Sequence, residues 1–385
     1  MQLLRPLRFA FGVAGALALG TPHAGAAQQA GITIPAGFTA EKIAHVSAAR
    51  ELSVAPNGDL FVGTYGSTIY VVPNAQGTPG TPRVFATFSD RPVAGVVVDG
   101  DWIYAGAQFG VYRIPYHSGD RTASAKPEQI AKVRTSGVSR DHVTTTVAVT
   151  KGKLYASVGS SCNACNPELD GTRATVQEMN LDGTGMHTRA TAIRNAIALA
   201  VQPGNGDLWV GIAGRDDLEP HGHPYEFFDD MSAHSDTPDY GWLKCDNDRT
   251  PISGGNCSNV VLPQVVLPGY DTPIGATFYP TDGKGKYVFP ASYRGGAFVT
   301  LHGSWHTPYV PPRVAFVPFK GNAPLKPVDW RDPDTQWTNF VSGCQSPDGS
   351  RTCRPTGVAV GPDGSLFVSE DDNGTIWRIR PVSRE

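Results

Sequence analysis

Apolar residues along the chain recur in short alternating runs broken by glycine turns. That is the period of half-buried strands, not of helices. One pattern repeats: a strand, a turn of Asn-Gly, Asp-Gly or Lys-Gly type, and a second strand. It occurs at 52–62 around Asn57-Gly58, at 95–104 around Asp99-Gly100 and at 146–158 around Lys151-Gly152. It returns at 199–210 around Asn205-Gly206, more loosely at 277–289 around Asp282-Gly283, and at 357–368 around Asp363-Gly364. Glycine supplies the positive φ that a tight hairpin requires. A hairpin cannot bury its apolar face alone, so repeated units of this kind stack. The repeat predicts an all-β chain folded as a six-bladed β-propeller with four-stranded blades, one domain over 27–385. Residues 38–46 are expected to add a strand to the last blade and close the ring. The gaps near 214–264 and 305–354 read as insertions, the segments in which a rigid scaffold carries function.

Charge and composition narrow the function. The 385 residues hold 32 Lys and Arg against 35 Asp and Glu, a net charge of −3. Nucleic-acid and polybasic membrane-surface roles need concentrated positive charge and are disfavoured. Glycine and proline make up about a fifth of the chain, which suits turn-rich β structure and stays below the disordered range. Residues 1–26 read as a signal peptide: Arg5 and Arg8, an apolar run from Phe9 to Leu19, then Ala24-Gly25-Ala26. Export to the periplasm or beyond is implied, and no later segment has the length and apolarity of a membrane span. The six cysteines fall in close pairs, Cys162/Cys165, Cys245/Cys257 and Cys344/Cys353. Sequence alone does not fix their connectivity. Short spacing favours three local disulfides, and a redox-active Cys162/Cys165 stays open.

Several polar residues occupy matching places on different units. His142 stands just before the third inner strand, where a neutral imidazole suits a general base; a hydrogen-bonded structural histidine is the alternative. Arg194 and Asn195 precede the fourth inner strand. Arg354 and Thr356 stand at the sixth. His302 follows a strand of the fifth. Convergence of such residues at a channel mouth suits an anionic ligand with carbonyls to polarise. The stretch 214–227 is acidic and rich in Gly and Pro, compatible with oxygen ligation of calcium. Within it His221-Gly222-His223 reads as a solvated loop, with zinc or copper as the alternative. Asp371-Asp372-Asn373-Gly374 reads as a turn. Nucleotide-binding and α/β-hydrolase signatures are missing.

Taken in order, these motifs resemble the soluble quinoprotein glucose/sorbosone dehydrogenase family, most closely its sorbosone-dehydrogenase-like branch. The resemblance is carried by Pro35-Ala36-Gly37-Phe38, Arg50-Glu51-Leu52-Ser53, His142 with Leu154-Tyr155-Ala156-Ser157, and Ile193-Arg194-Asn195-Ala196. It continues through Gly214-Arg215-Asp216-Asp217, Tyr240-Gly241-Trp242, His302-Gly303-Ser304-Trp305 and Arg354-Pro355-Thr356-Gly357. It implies a propeller that holds pyrroloquinoline quinone (PQQ) and Ca2+ at the channel mouth. It also implies oxidation of an aldose or related sugar, with electrons passed to an unidentified acceptor. Residue by residue, it implies His142 as the base, with Arg194 and Asn195 beside the quinone oxygens. Arg354 would bind the cofactor's carboxylates. The backbone carbonyls of Gly214 and Arg215 would hold the cofactor-bridging calcium. Glu226 and Tyr240 would lie at a structural calcium. His302 stands where the glucose-oxidising branch has a cofactor-binding lysine, and Thr356 where it has a second arginine. Two other readings of such a scaffold are a calcium-dependent lactonase and a non-catalytic ligand-binding propeller.

Overall fold

Hairpin turns fall where the glycines place them. Lys151 and Gly152 both adopt positive φ, 50° and 71°, and between them the strands Thr145–Thr150 and Lys153–Val158 pair in unbroken antiparallel register. This computed structural model describes residues 26–135, 141–164, 168–216, 225–235, 237–252, 255–304 and 309–382. The predicted signal peptide lies outside the described residues apart from Ala26.

Six strands each begin an antiparallel meander: Ala49–Val54, Val93–Asp99, Thr145–Thr150, Asn195–Val201, Pro273–Phe278 and Pro355–Val360. The last four lead four-stranded sheets, and the first two share an eight-stranded sheet joined at Thr64 and Val93. These inner strands touch one another in chain order, and the last returns to the first. The result is the radial, all-β arrangement of a β-propeller. At Gly357 a Cβ would lie 2.3 Å from the Arg50 carbonyl oxygen, so neighbouring inner strands pack backbone to backbone. The expected closure is present: Phe38–His45 pairs with Thr375–Pro381 as the outer strand of the last sheet.

Two expectations need correction. The fifth unit does not turn at Asp282-Gly283 into a second strand by Phe289. Pro273–Phe278 pairs instead with Ala297–Leu301, and residues 279–296 form an excursion. The gaps are also not pure insertions. Glu226–Asp230 is the third strand of the fourth sheet, and Arg313–Val317 and Thr338–Val341 complete the fifth.

Cores form between adjacent sheets. Trp209, fully buried, meets Phe228, Phe278 and Phe319 between the fourth and fifth. Along the axis, residues of all six inner strands enclose a cavity of ≈ 250 Å³. Glu51 is the one charged side chain in its wall, and burial pushes its carboxyl well above the usual range. Disulfides join Cys245 to Cys257 and Cys344 to Cys353 as expected; Cys165 lies outside the described residues, and with it the third predicted pair.

Candidate active site

His142 sits in a left-handed bend, φ 44°, at the end of the ring where inner strands begin. Two buried arginines hold that bend. Arg134 Nη2 donates to the carbonyls of His142 and Thr144, 2.7 Å each, and its Nη1 donates to Gln108 O and Thr145 Oγ1, 2.6 Å each. Arg173 Nη1 donates to Ser160 O at 2.8 Å. His142 Nδ1 lies 3.0 Å from both Ser160 O and Ser160 Oγ. A carbonyl only accepts, and Ser160 Oγ donates its one proton to Cys162 O at 2.7 Å. Nδ1 therefore carries the imidazole proton, and the lone pair is on Nε2. Nε2 has no hydrogen-bond partner among the described residues. Burial, then the Arg194 charge, push the His142 pKa down to about 3, so the ring is neutral.

The same serine ties His142 to the fourth unit, because its backbone N–H donates to Arg194 O at 2.7 Å. Gly159 permits the approach: a Cβ there would lie 2.4 Å from Asn195 Oδ1 and 2.5 Å from His142 Cβ. Asn195 is 7% exposed, yet its Oδ1 accepts no hydrogen bond among the described residues. A buried acceptor left open beside a cation and a neutral imidazole marks a place where a ligand donor fits. Arg194 donates from Nε to Asn163 Oδ1 at 3.1 Å and from Nη2 to Asp216 at 2.9 Å. Its Nη1 has no partner among the described residues.

A second cluster forms on the fifth, sixth and first units. His302 Nε2 lies 3.1 Å from Asp371 Oδ1 and 3.2 Å from Oδ2. Burial pushes its pKa to about 3, so the neutral ring donates Nε2–H to the carboxylate. Burial alone would raise Asp371, but His302, Arg50 and Arg354 outweigh it and hold the carboxyl below its ordinary range. Arg50 reaches the same carboxylate at 3.1 Å. Arg354 Nε donates to His302 O at 3.1 Å, leaving both terminal nitrogens without partners among the described residues. Thr356 does not join this cluster. It is fully buried, its hydroxyl donating to Ala49 O and meeting Ser369 Oγ, each at 3.0 Å. It stitches two inner strands together, so the expected ligand contact is corrected to a structural one.

The expected calcium residues divide in the same way. Gly214 and Arg215 border the segment 217–224, which lies outside the described residues together with Asp217, His221 and His223. Their carbonyls accept no hydrogen bond among the described residues. Glu226 is buried and accepts the backbone N–H of Gly214 and of Tyr270, 3.2 Å each; burial pushes its carboxyl up to about 8. Tyr240 donates to Asp229 at 2.8 Å and stacks on Phe227. Asp229 also receives His234 Nε2 and the Gln264 N–H, so this set anchors the 231–264 excursion. Among the described residues no three His, Cys, Asp or Glu side chains form a metal-ready group.

Comparison with known proteins bears on the fold. A TrAA12-like family model matches residues 232–382. A Trichoderma reesei structure of carbohydrate-active enzyme family AA12 superposes with a TM-score of 0.75 at 19% identity, covering 91% of this chain and 98% of that one. The PQQ domain of pyranose dehydrogenase from Coprinopsis cinerea gives 0.74 at 18%, covering 91% and 97%. The chain has the fold of these two proteins. The PQQ-bound aldose sugar dehydrogenase of Streptomyces coelicolor is also similar, at 0.59 and 15%, covering 90% and 99%. A curated Borreliella burgdorferi protein, uncharacterized, is 23% identical over 236 residues, 59% of this chain and 57% of that protein's length.

On this fold, sequence reasoning missed Arg134, Arg173, Ser160 and Asp371. The first three fix the bend and tautomer of His142. Asp371, read as a turn residue, is the carboxylate on which His302 and Arg50 converge. Its acidity beside a turn glycine gave no cue, because the partners come from two other sheets.

Proposed function

We propose that the chain is an exported six-bladed propeller acting as a PQQ- and Ca2+-dependent sugar dehydrogenase on an aldose or related sugar, with an external electron acceptor. One observation carries the reading. His142 presents an Nε2 lone pair, fixed by Ser160 and without a partner among the described residues, next to Asn195 Oδ1, likewise without one, and the Arg194 guanidinium. Bound PQQ would supply the two-electron acceptor for the sugar's hydride. His142 Nε2 takes the proton of the hydroxyl being oxidised. Arg194 Nη1 polarises a carbonyl group beside it, and Asn195 Oδ1 accepts from a ligand O–H or N–H. The unpaired nitrogens of Arg354 hold a carboxylate as a planar fork, and His302 packs beside it with its own Nε2 occupied. The carbonyls of Gly214 and Arg215 are the oxygen donors for calcium. The test adds PQQ and Ca2+ to the purified apoprotein. A shifted quinone absorbance and dye reduction dependent on a sugar are expected; no PQQ binding would overturn the reading.

A further inference from the structure

Trp242, which also borders the pocket of Arg194, Gly214 and Arg215, lines a second cavity of ≈ 370 Å³, within the size range of small-ligand sites. Glu168, Asp170, Arg173, Thr191, Trp242 and Lys244 stand in its wall. Two carboxylates and two cations cancel, so the cavity favours a neutral ligand over an ion. Arg173 is 3% exposed and donates from Nη1 to Ser160 O, so it forms a fixed part of the wall. Thr191 commits both backbone groups to the 231–264 excursion, its N–H to Pro238 O and its carbonyl to the Tyr240 N–H. Its hydroxyl has no partner among the described residues. Trp242 Nε1 donates to Asn163 O at 3.2 Å, which pins the indole as a fixed apolar wall. A fixed aromatic wall beside the Thr191 hydroxyl matches a polyhydroxylated ring, with C–H groups on one face and hydroxyls at its edge.

We propose that this cavity is an accessory saccharide-binding site, distinct from the mouth at His142. The two are physically joined. The Ser160 carbonyl that accepts from Arg173 at 2.8 Å also accepts from His142 Nδ1 at 3.0 Å. The test needs neither cofactor nor turnover, so its outcome is separate from that of the dehydrogenase reading. Cofactor-free protein is titrated with glucose and with maltose, followed by tryptophan fluorescence and saturation-transfer NMR. Saturable binding is expected. Thr191→Val, nearly isosteric, should weaken it roughly three- to tenfold, the worth of one hydrogen bond. Trp242→Ala should weaken it about tenfold or more, and His142→Ala should leave the affinity unchanged. Absence of saturable binding overturns the proposal. So does binding that both cavity variants leave at wild-type strength, or binding that only His142→Ala removes.

Discussion

Two histidines stand at the same end of the ring, both partly or fully buried and both neutral, yet their partners set them to different tasks. His142 is held by a neutral carbonyl and hydroxyl on Nδ1, with arginines around it, so Nε2 is left to accept. His302 has Nε2 turned onto the Asp371 carboxylate, and the arginine above it, Arg354, keeps two nitrogens unpaired. One side leaves a neutral lone pair open, the other leaves guanidinium N–H groups open among the described residues. Residue type did not decide this; the identity of one acceptor did.

The largest effect should separate the two histidines directly. With saturating PQQ and Ca2+, His142→Ala should lower kcat by about 10²–10⁴-fold. His302→Gln, which can still donate to Asp371, should lower it less than about tenfold. Equal losses in steady-state kinetics would erase the distinction. Next, Arg354→Ala should weaken PQQ binding by roughly 10–100-fold, the worth of a charge-assisted hydrogen bond, while kcat at saturation changes little. Equilibrium titration of the apoprotein measures it.

Stability should follow pH through both histidines. Folding holds each near a pKa of about 3, whereas the unfolded chain titrates near 6.5. The unfolded state therefore binds protons first. Their contribution is complete above about pH 6.5 and is lost as pH falls from there toward 3. His234, raised by its bond to Asp229, acts in the opposite sense. The useful quantity is thus the difference in Tm between wild type and His142→Gln or His302→Gln across that window. A Tm difference that stays constant with pH would show that neither ring is held neutral. The smallest effect belongs to Ser160→Ala. It keeps the carbonyl that fixes the His142 tautomer, so kcat should fall only a few-fold. A loss as large as that of His142→Ala would place the control in the hydroxyl instead.

The fold was legible because each hairpin carries its own local signal. Asn57-Gly58, Lys151-Gly152 and Asp363-Gly364 specify turns from φ alone, and repetition supplied the ring. The fifth unit escaped because its first two strands are joined by residues 279–296, so the turn at Asp282-Gly283 lies inside a long connection and does not close the hairpin. At the site, residues on strand ends were legible by register: His142, Arg194, Asn195, His302 and Arg354 all reach the same face. Thr356 shared that register but not the orientation, and a hydroxyl bonded across two strands looks no different in sequence from one facing a ligand. Arg134 and Arg173 were invisible for another reason. They come from loops without a repeat position, and their partners are mostly backbone carbonyls, which every residue has.

The outer strand that closes the ring has a consequence for how the molecule comes together. Glu41 and Arg378 meet across 337 residues, a separation whose closure from an open coil would cost roughly 5 kcal/mol by (3/2)RT ln n scaling. Most of that cost disappears once the other sheets have curled the chain and delivered its two ends to one place. The clasp therefore closes most cheaply after the other sheets, and the last sheet is the seam at which the two ends of the ring meet. A circular permutant opened within 279–296, with the old ends joined, would turn the clasp into a near-neighbour contact and move that seam elsewhere without altering a single residue at the mouth.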